Sequence, residues 1–238
     1  MTAIVGIMAY ADPKNKKIVL ASDTQLEEIG EEEDKPVSKT TDFRKIAQGS
    51  YWAIGFAGNY YQKYMRKFFR SLRENELLIE KAIKDKFSLE VMRLNQAICN
   101  EHGEKGLPHF LLAAAKPEIG LYFIDMVGNV KKRPVDADET ADYIALGSGG
   151  TFVSSFLEEK MESRAVDDDN GDSIDIGLAI RLAYEAIDKN KDPSTGGSVE
   201  LFTVGEDGVQ NYGERLKKAM RKAQQEELEN IIKESGSS

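Results

Sequence analysis

Two apolar spacings divide the chain into strands and helices. Residues 2–11 (TAIVGIMAYA) and 16–23 (KKIVLASD) are β-branched and apolar, with Asp12–Asn15 as turn material between them, and predict a hairpin. Residues 43–48 (FRKIAQ) and 51–58 (YWAIGFAG) repeat the pattern around Gly49-Ser50 and predict a second hairpin. The period then changes. Tyr61, Tyr64, Met65, Phe68 and Leu72 fall at helical spacing, and Val91, Leu94 and Ile98 do so again behind Ser88 as candidate N-cap. Strand-like runs return at 109–115, 119–126, 129–135 and 142–147, broken by Pro117-Glu118 and Gly128-Asn129. Val153, Phe156 and Leu157 mark a third helix, and Ile176, Ile180, Ala183, Tyr184 and Ile187 a fourth, capped by Asp175. Residues 198–204 (SVELFTV) are a last strand, and 213–234 a highly charged last helix.

Strands in hairpin-linked blocks and helices in pairs predict an α+β layer arrangement of antiparallel sheets with helices packed outside. Because the strands are apolar on both faces, they need cover on both faces. Two sheets stacked face to face, each covered by a helix pair, meet that demand. No internal repeat or Pro/Gly/Ser linker interrupts the chain, so residues 2–211 are taken as one domain, followed by a charged C-terminal helix and tail over 212–238. The runs EEIGEEEDK (27–35) and VDDDNGDS (166–173) are expected in solvated loops.

Charge and composition narrow the partners. With 238 residues and a formal net charge of −9, the chain has no basic stripe, which argues against nucleic acid or anionic lipid. No apolar stretch reaches membrane-spanning length, and no signal-peptide pattern opens the chain. Cys99 is the single cysteine, so no intrachain disulfide forms, and a cytoplasmic location fits. Cys99 reads as core filler on the apolar side of a helix. His102 and His109 flank the loop EHGEKGLPH without metal-ligand spacing around them, and the Asp-rich run lacks the terminal glutamate of a calcium loop. Neither a metal nor a cofactor is expected.

The candidate chemistry begins at the second residue. Methionine aminopeptidase removes an initiator methionine when the next side chain is small, so Thr2 is expected to carry a hydroxyl and a free α-amine on one residue. An α-amine with a pKa near 7.7–8.0 is partly neutral at physiological pH and can accept the hydroxyl proton. Threonine paired with its own amine is an activated nucleophile.

Five blocks in order, TAIVGIMAY, IVLASDTQ, WAIGFAG, ALGSGG and NKDPSTGGSVELFTV, make the chain resemble the proteasome and its bacterial ATP-dependent relative, the N-terminal-nucleophile hydrolases. The resemblance implies a four-layer αββα sandwich, a self-assembling homo-oligomeric ring with threonines facing an enclosed chamber, and peptide or unfolded-protein substrates. It leaves room for an ATPase or cap partner. By the same resemblance Thr2 is the nucleophile, and Asp23 the carboxylate that holds the catalytic lysine. Gly55 offers an oxyanion-hole N–H, Ser148 a hydroxyl near the threonine amine, and Asp192 with Thr195 completes the network. The lysine departs from the pattern: aligned on Phe43 and Ile46, its position falls on Asp42. A shorter hairpin places Lys45 there instead, and an irregular loop admits Lys39; Lys45 is preferred. Peptide-bond hydrolysis through a Thr2 acyl ester is the first expectation. A transpeptidase or amidase using the same ester, and an inactive structural ring subunit, are the alternatives.

Overall fold

The computed structural model describes residues 2–9, 16–29, 36–40, 43–76, 83–104, 106–133, 143–165, 174–190 and 195–212. The charged C-terminal helix expected over 213–234 and the Asp-rich run 166–173 lie outside these residues.

The two expected hairpins are present. Strands β1 (Ile4–Ala9) and β2 (Lys17–Asp23) pair antiparallel from Ile4↔Ser22 to Ala9↔Lys17. A short ribbon follows, β3 (Leu26–Ile29) with β4 (Pro36–Thr40). Then β5 (Ile46–Gln48) and β6 (Trp52–Ala57) form the second hairpin. Helices α1 (Gln62–Glu74) and α2 (Ile83–His102) lead into the meander β7 (His109–Ala114), β8 (Gly120–Ile124) and β9 (Val130–Arg133). Strand β10 (Tyr143–Leu146), helices α3 (Gly150–Ala165) and α4 (Ile176–Asp188), and the hairpin β11 (Val199–Gly205) with β12 (Gly208–Asn211) complete the described chain. Two five-stranded antiparallel sheets result, ordered β10-β1-β2-β11-β12 and β5-β6-β7-β8-β9.

Alternation along β1 shows why both faces are apolar. Ala3, Val5, Ile7 and Ala9 enter a core with α3 and α4, through Val153, Leu157, Leu178 and Leu182. Ile4 and Met8 point the other way, into a core shared with Ile46, Ala53, Leu111 and Leu121 of the second sheet. On the far side of that second sheet, Trp52, Ile54, Phe56, Phe110 and Leu112 meet Met65 and Phe68 of α1 and Phe87, Val91 and Leu94 of α2. The stacking is therefore helix pair, sheet, sheet, helix pair. Each large apolar side chain so enclosed contributes about 1.5–3 kcal/mol over its exposed state.

The helices follow their apolar stripes. Met65, Phe68 and Leu72 are the buried face of α1. Asp175 caps α4 as expected, its Oδ1 accepting from the Leu178 N–H at 2.8 Å. Ser88 does not start α2: the helix begins at Ile83, because buried Phe87 extends the Val91–Leu94–Ile98 stripe one turn upstream. Nor is the acidic run 27–35 loop throughout, since Glu27, Glu28 and Ile29 belong to β3, with Glu27 opposite Lys39 and Glu28 opposite Ser38. Among the described residues no helix is long and apolar enough to cross a membrane.

Candidate functional site

The β1–β2 hairpin ends beside Thr2. At this end the Asp23 N–H donates to the Ala3 carbonyl at 3.3 Å, and the Asp23 carboxylate turns back to accept from the Ala3 N–H at 2.9 Å. That N–H belongs to the peptide joining Thr2 to Ala3, so Asp23 is fixed one bond system away from the threonine. Its other oxygen accepts from Gln25 N–H at 3.2 Å, from Gly196 N–H at 3.4 Å and from the Lys45 ammonium at 2.8 Å. Lys45 and Asp23 side chains are 0% and 2% exposed. A buried pair of this kind survives only when its remaining hydrogen-bonding capacity is also met. The backbone N–H groups around Asp23 help meet it.

Lys45 comes from the opposite sheet, immediately before β5. Phe43 N–H donates to the Thr24 carbonyl at 2.9 Å and brings this segment against the end of β2. Glu200 of β11 reaches across between the sheets, one carboxylate oxygen accepting from Lys45 N–H at 2.9 Å and Ile46 N–H at 3.3 Å. Burial raises the Glu200 carboxyl pKa above its ordinary value, a shift that these two N–H groups and the cations of Arg44 and Lys45 oppose. Ser198 and Thr24 bond to each other through backbone and side chain, fixing β11 beside β2 at the same level.

On its other side Thr2 rests on the turn after β10. Gly149 N–H donates to the Thr2 carbonyl at 3.4 Å. At Gly147 φ is +95°, and a Cβ would lie 1.8 Å from the Thr2 carbonyl oxygen, so only glycine permits the approach. Thr2 and Ser148 line a cavity of about 490 Å³ together with Gly58, Asn59, Leu107 and His109. His109 stacks on Phe123 in its wall, with centroids 5.8 Å apart.

The expected residues thus separate into groups. Thr2 and Ser148 face the cavity, while Asp23 and Lys45 form the buried pair behind Thr2. Thr195 is buried next to Gly196, whose N–H reaches Asp23. Asp192 and Asp42 lie outside the described residues, and Lys39 is a residue of β4. Gly55 is not on the cavity lining. It pairs within the sheet with Ile46 and Leu111, and a Cβ there would press on Ile4 from the other sheet at 3.0 Å, so its small size serves sheet packing. Gly58, three residues on, does line the cavity, as do Gly106 and Gly147; its φ is +132° and a Cβ would lie 2.9 Å from Pro108 Cα. The sequence block GFAG holds both glycines, and only the end of β6 at Ala57 separates their roles. Glu200 carried one signal: it shares the strand phase of buried Phe202 and Val204, an acid where an apolar residue is expected.

Among the described residues no three His, Cys, Asp or Glu side chains gather as a metal-ligand set. His102 instead stacks on Tyr61 at the end of α2. No family model matches the sequence, and a search of curated proteins found none that matches it.

Proposed function

We propose that this chain is a proteasome-like N-terminal threonine peptidase with the αββα fold of the N-terminal-nucleophile hydrolases. Excision of Met1 frees the Thr2 amine. The amine accepts the proton of the Thr2 hydroxyl as its oxygen attacks a peptide carbonyl, the amide nitrogen leaves with that proton, and water hydrolyses the resulting ester. Lys45 supplies a fixed positive charge that favours deprotonated neighbours, with Asp23 holding it in place. A backbone N–H of the block GFAG, from Gly55 as the resemblance implies or from Gly58 on the cavity wall, takes the oxyanion role, and the Ser148 hydroxyl assists the amine. Assembly into a ring of identical copies encloses the site, and peptides or unfolded chains are the substrates.

The observation that carries this reading is the buried Lys45–Asp23 pair hydrogen-bonded to the Thr2–Ala3 peptide, next to a cavity that Thr2 lines. A stabilising role alone does not call for a buried ion pair, since apolar side chains of similar volume serve as well or better. Intact-mass spectrometry with a β-lactone or epoxyketone tests it. The expected result is loss of Met1 and a single adduct, absent from Thr2→Ala. A processed chain that forms no adduct, or a chain that keeps Met1, refutes the reading and leaves a structural subunit.

A further inference from the structure

Glu200 is a largely enclosed acid that the mechanism above leaves without a task. It stands on β11 opposite Ser22 of β2, one residue from the Val199↔Asp23 pair. Its side chain shares the face of Phe202 and Val204, which looks into the apolar space between the sheets. Only 12% of the side chain is exposed. Its partners are the N–H groups of Lys45 and Ile46 and, at 4.0 Å, the guanidinium of Arg44, which is 84% exposed. An ion pair with so exposed a partner is screened by water and contributes little. The two N–H groups therefore account for its position.

Those N–H groups lie where β5 begins, and β5 is an edge strand of its sheet. Nothing in the ladder on the open side of an edge strand fixes its backbone. Yet the backbone of Lys45 must be held, because its side chain has to cross to the other sheet and meet Asp23 at 2.8 Å. Glu200 and Asp23, on neighbouring strands of one sheet, thus grip the same residue of the other sheet twice. Glu200 holds the main chain and Asp23 the ammonium.

We propose that Glu200 is the positioning residue of this site: its carboxylate sets the backbone of Lys45 so that the ammonium stands on Asp23 beside Thr2. The proposal rests on the threonine-peptidase reading for its effect on rate, and on the geometry alone for its effect on Lys45. The role needs an acceptor oxygen and no net charge. Glu200→Gln keeps that oxygen, whereas Glu200→Ala and the volume-preserving Glu200→Leu remove it.

Two measurements on the full-length chain test this. The first is the rate of β-lactone acylation at Thr2 in the wild type, E200A, E200L, E200Q, Lys45→Ala and the E200A/K45A double variant. E200A and E200L should slow acylation by about tenfold or more, and E200Q should restore most of the rate. In the K45A background E200A should cost less than about twofold, since the two act through one group. The second is acetylation of Lys45 by an N-hydroxysuccinimide ester, read by peptide mass spectrometry. Lys45 should be protected in the wild type and E200Q and labelled in E200A and E200L, with the core around Trp52 still native by fluorescence. Equal acylation rates in E200A and wild type, an undiminished loss in the K45A background, or Lys45 protection in both E200A and E200L would overturn the proposal. If the wild type itself forms no adduct, the peptidase reading fails, and the labelling alone decides whether Glu200 positions Lys45.

Discussion

Removing either member of the buried pair should destabilise the protein, but unequally. At 2.8 Å the attraction between the Lys45 ammonium and the Asp23 carboxylate is roughly 6 kcal/mol at an effective dielectric of about 20. Desolvation offsets much of this, and breaking such a pair by deleting one partner costs about 3–5 kcal/mol. Lys45→Met leaves Asp23 with the N–H groups of Ala3, Gln25 and Gly196, so its cost should fall near the lower figure, about 3 kcal/mol. Asp23→Ala takes the carboxylate from the ammonium and also from those N–H groups, each worth about 1 kcal/mol when a buried partner is lost. Its cost should exceed that of K45M by about 2 kcal/mol or more. Urea unfolding at pH 7, followed by the fluorescence of the single tryptophan, Trp52, buried under α2 against Phe87, measures both. If K45M is as costly as D23A, the backbone donors around Asp23 carry none of the load assigned to them. If neither variant costs more than about 1 kcal/mol, the pair is not buried in solution.

Other expectations follow from the same geometry. Gly147→Ala puts a methyl group onto the Thr2 carbonyl and forces a left-handed backbone on alanine; the backbone strain alone should cost about 1–3 kcal/mol, the clash adds to it, and Thr2 acylation should slow, while Gly150→Ala, whose nearest contact is at 3.5 Å, should acylate normally. Comparing the two rates checks this. Burial raises the Glu200 pKa, so the charged form is the penalised one: wild-type stability relative to E200Q should increase as pH falls from 7 towards the ordinary 4.5, and at pH 7 E200Q should melt no lower than wild type in a thermal scan. Tyr122 and Tyr143 are pushed up to about 12, chiefly by burial. Their raised values favour the fold below pH 10, and this contribution should be lost as pH rises from about 10 to 12, visible as unfolding that accompanies the last tyrosine absorbance change and comes earlier in a denaturant. Removing the α4 cap with Asp175→Ala should lower stability by about 1 kcal/mol without changing the Thr2 acylation rate.

What the sequence made legible was whatever burial had written into side-chain spacing. The β1–β2 and β5–β6 hairpins and the buried stripe of α1 are periodic because each faces a core, and the Asp175 cap has a local chemical signature. The β3–β4 ribbon was missed because its pairing runs through backbone groups that every residue carries, and its sequence is charged. Strand β12 is four residues long and is tied to β11 by a tight turn ahead of Gly208. At the site, Thr2, Asp23 and Ser148 stand in blocks with recognisable composition, whereas the choice among Asp42, Lys45 and Lys39 depended on where an irregular segment re-enters a strand. Spacing does not encode that; the Phe43 N–H bond to Thr24 and the Glu200 bonds to Lys45 and Ile46 do. Spacing likewise does not show that, of Gly55 and Gly58, three residues apart, one lies inside the ladder and the other beyond it on the cavity wall.

The sheet that Lys45 precedes and Gly58 borders, with its two helices, draws its described strands from the continuous stretch between Ile46 and Arg133. The sheet that carries Thr2 and Asp23 is instead stitched from both flanks of that stretch, with β2 beside β11 across an interval of more than a hundred residues. Loop closure over such an interval is slow compared with forming local hairpins and helices. The middle of the chain can therefore order itself first, and the two flanks then close over it as a lid of two separate pieces. Lys45 meets Asp23 only at that final docking, so a half-finished chain holds Thr2 and the ammonium apart.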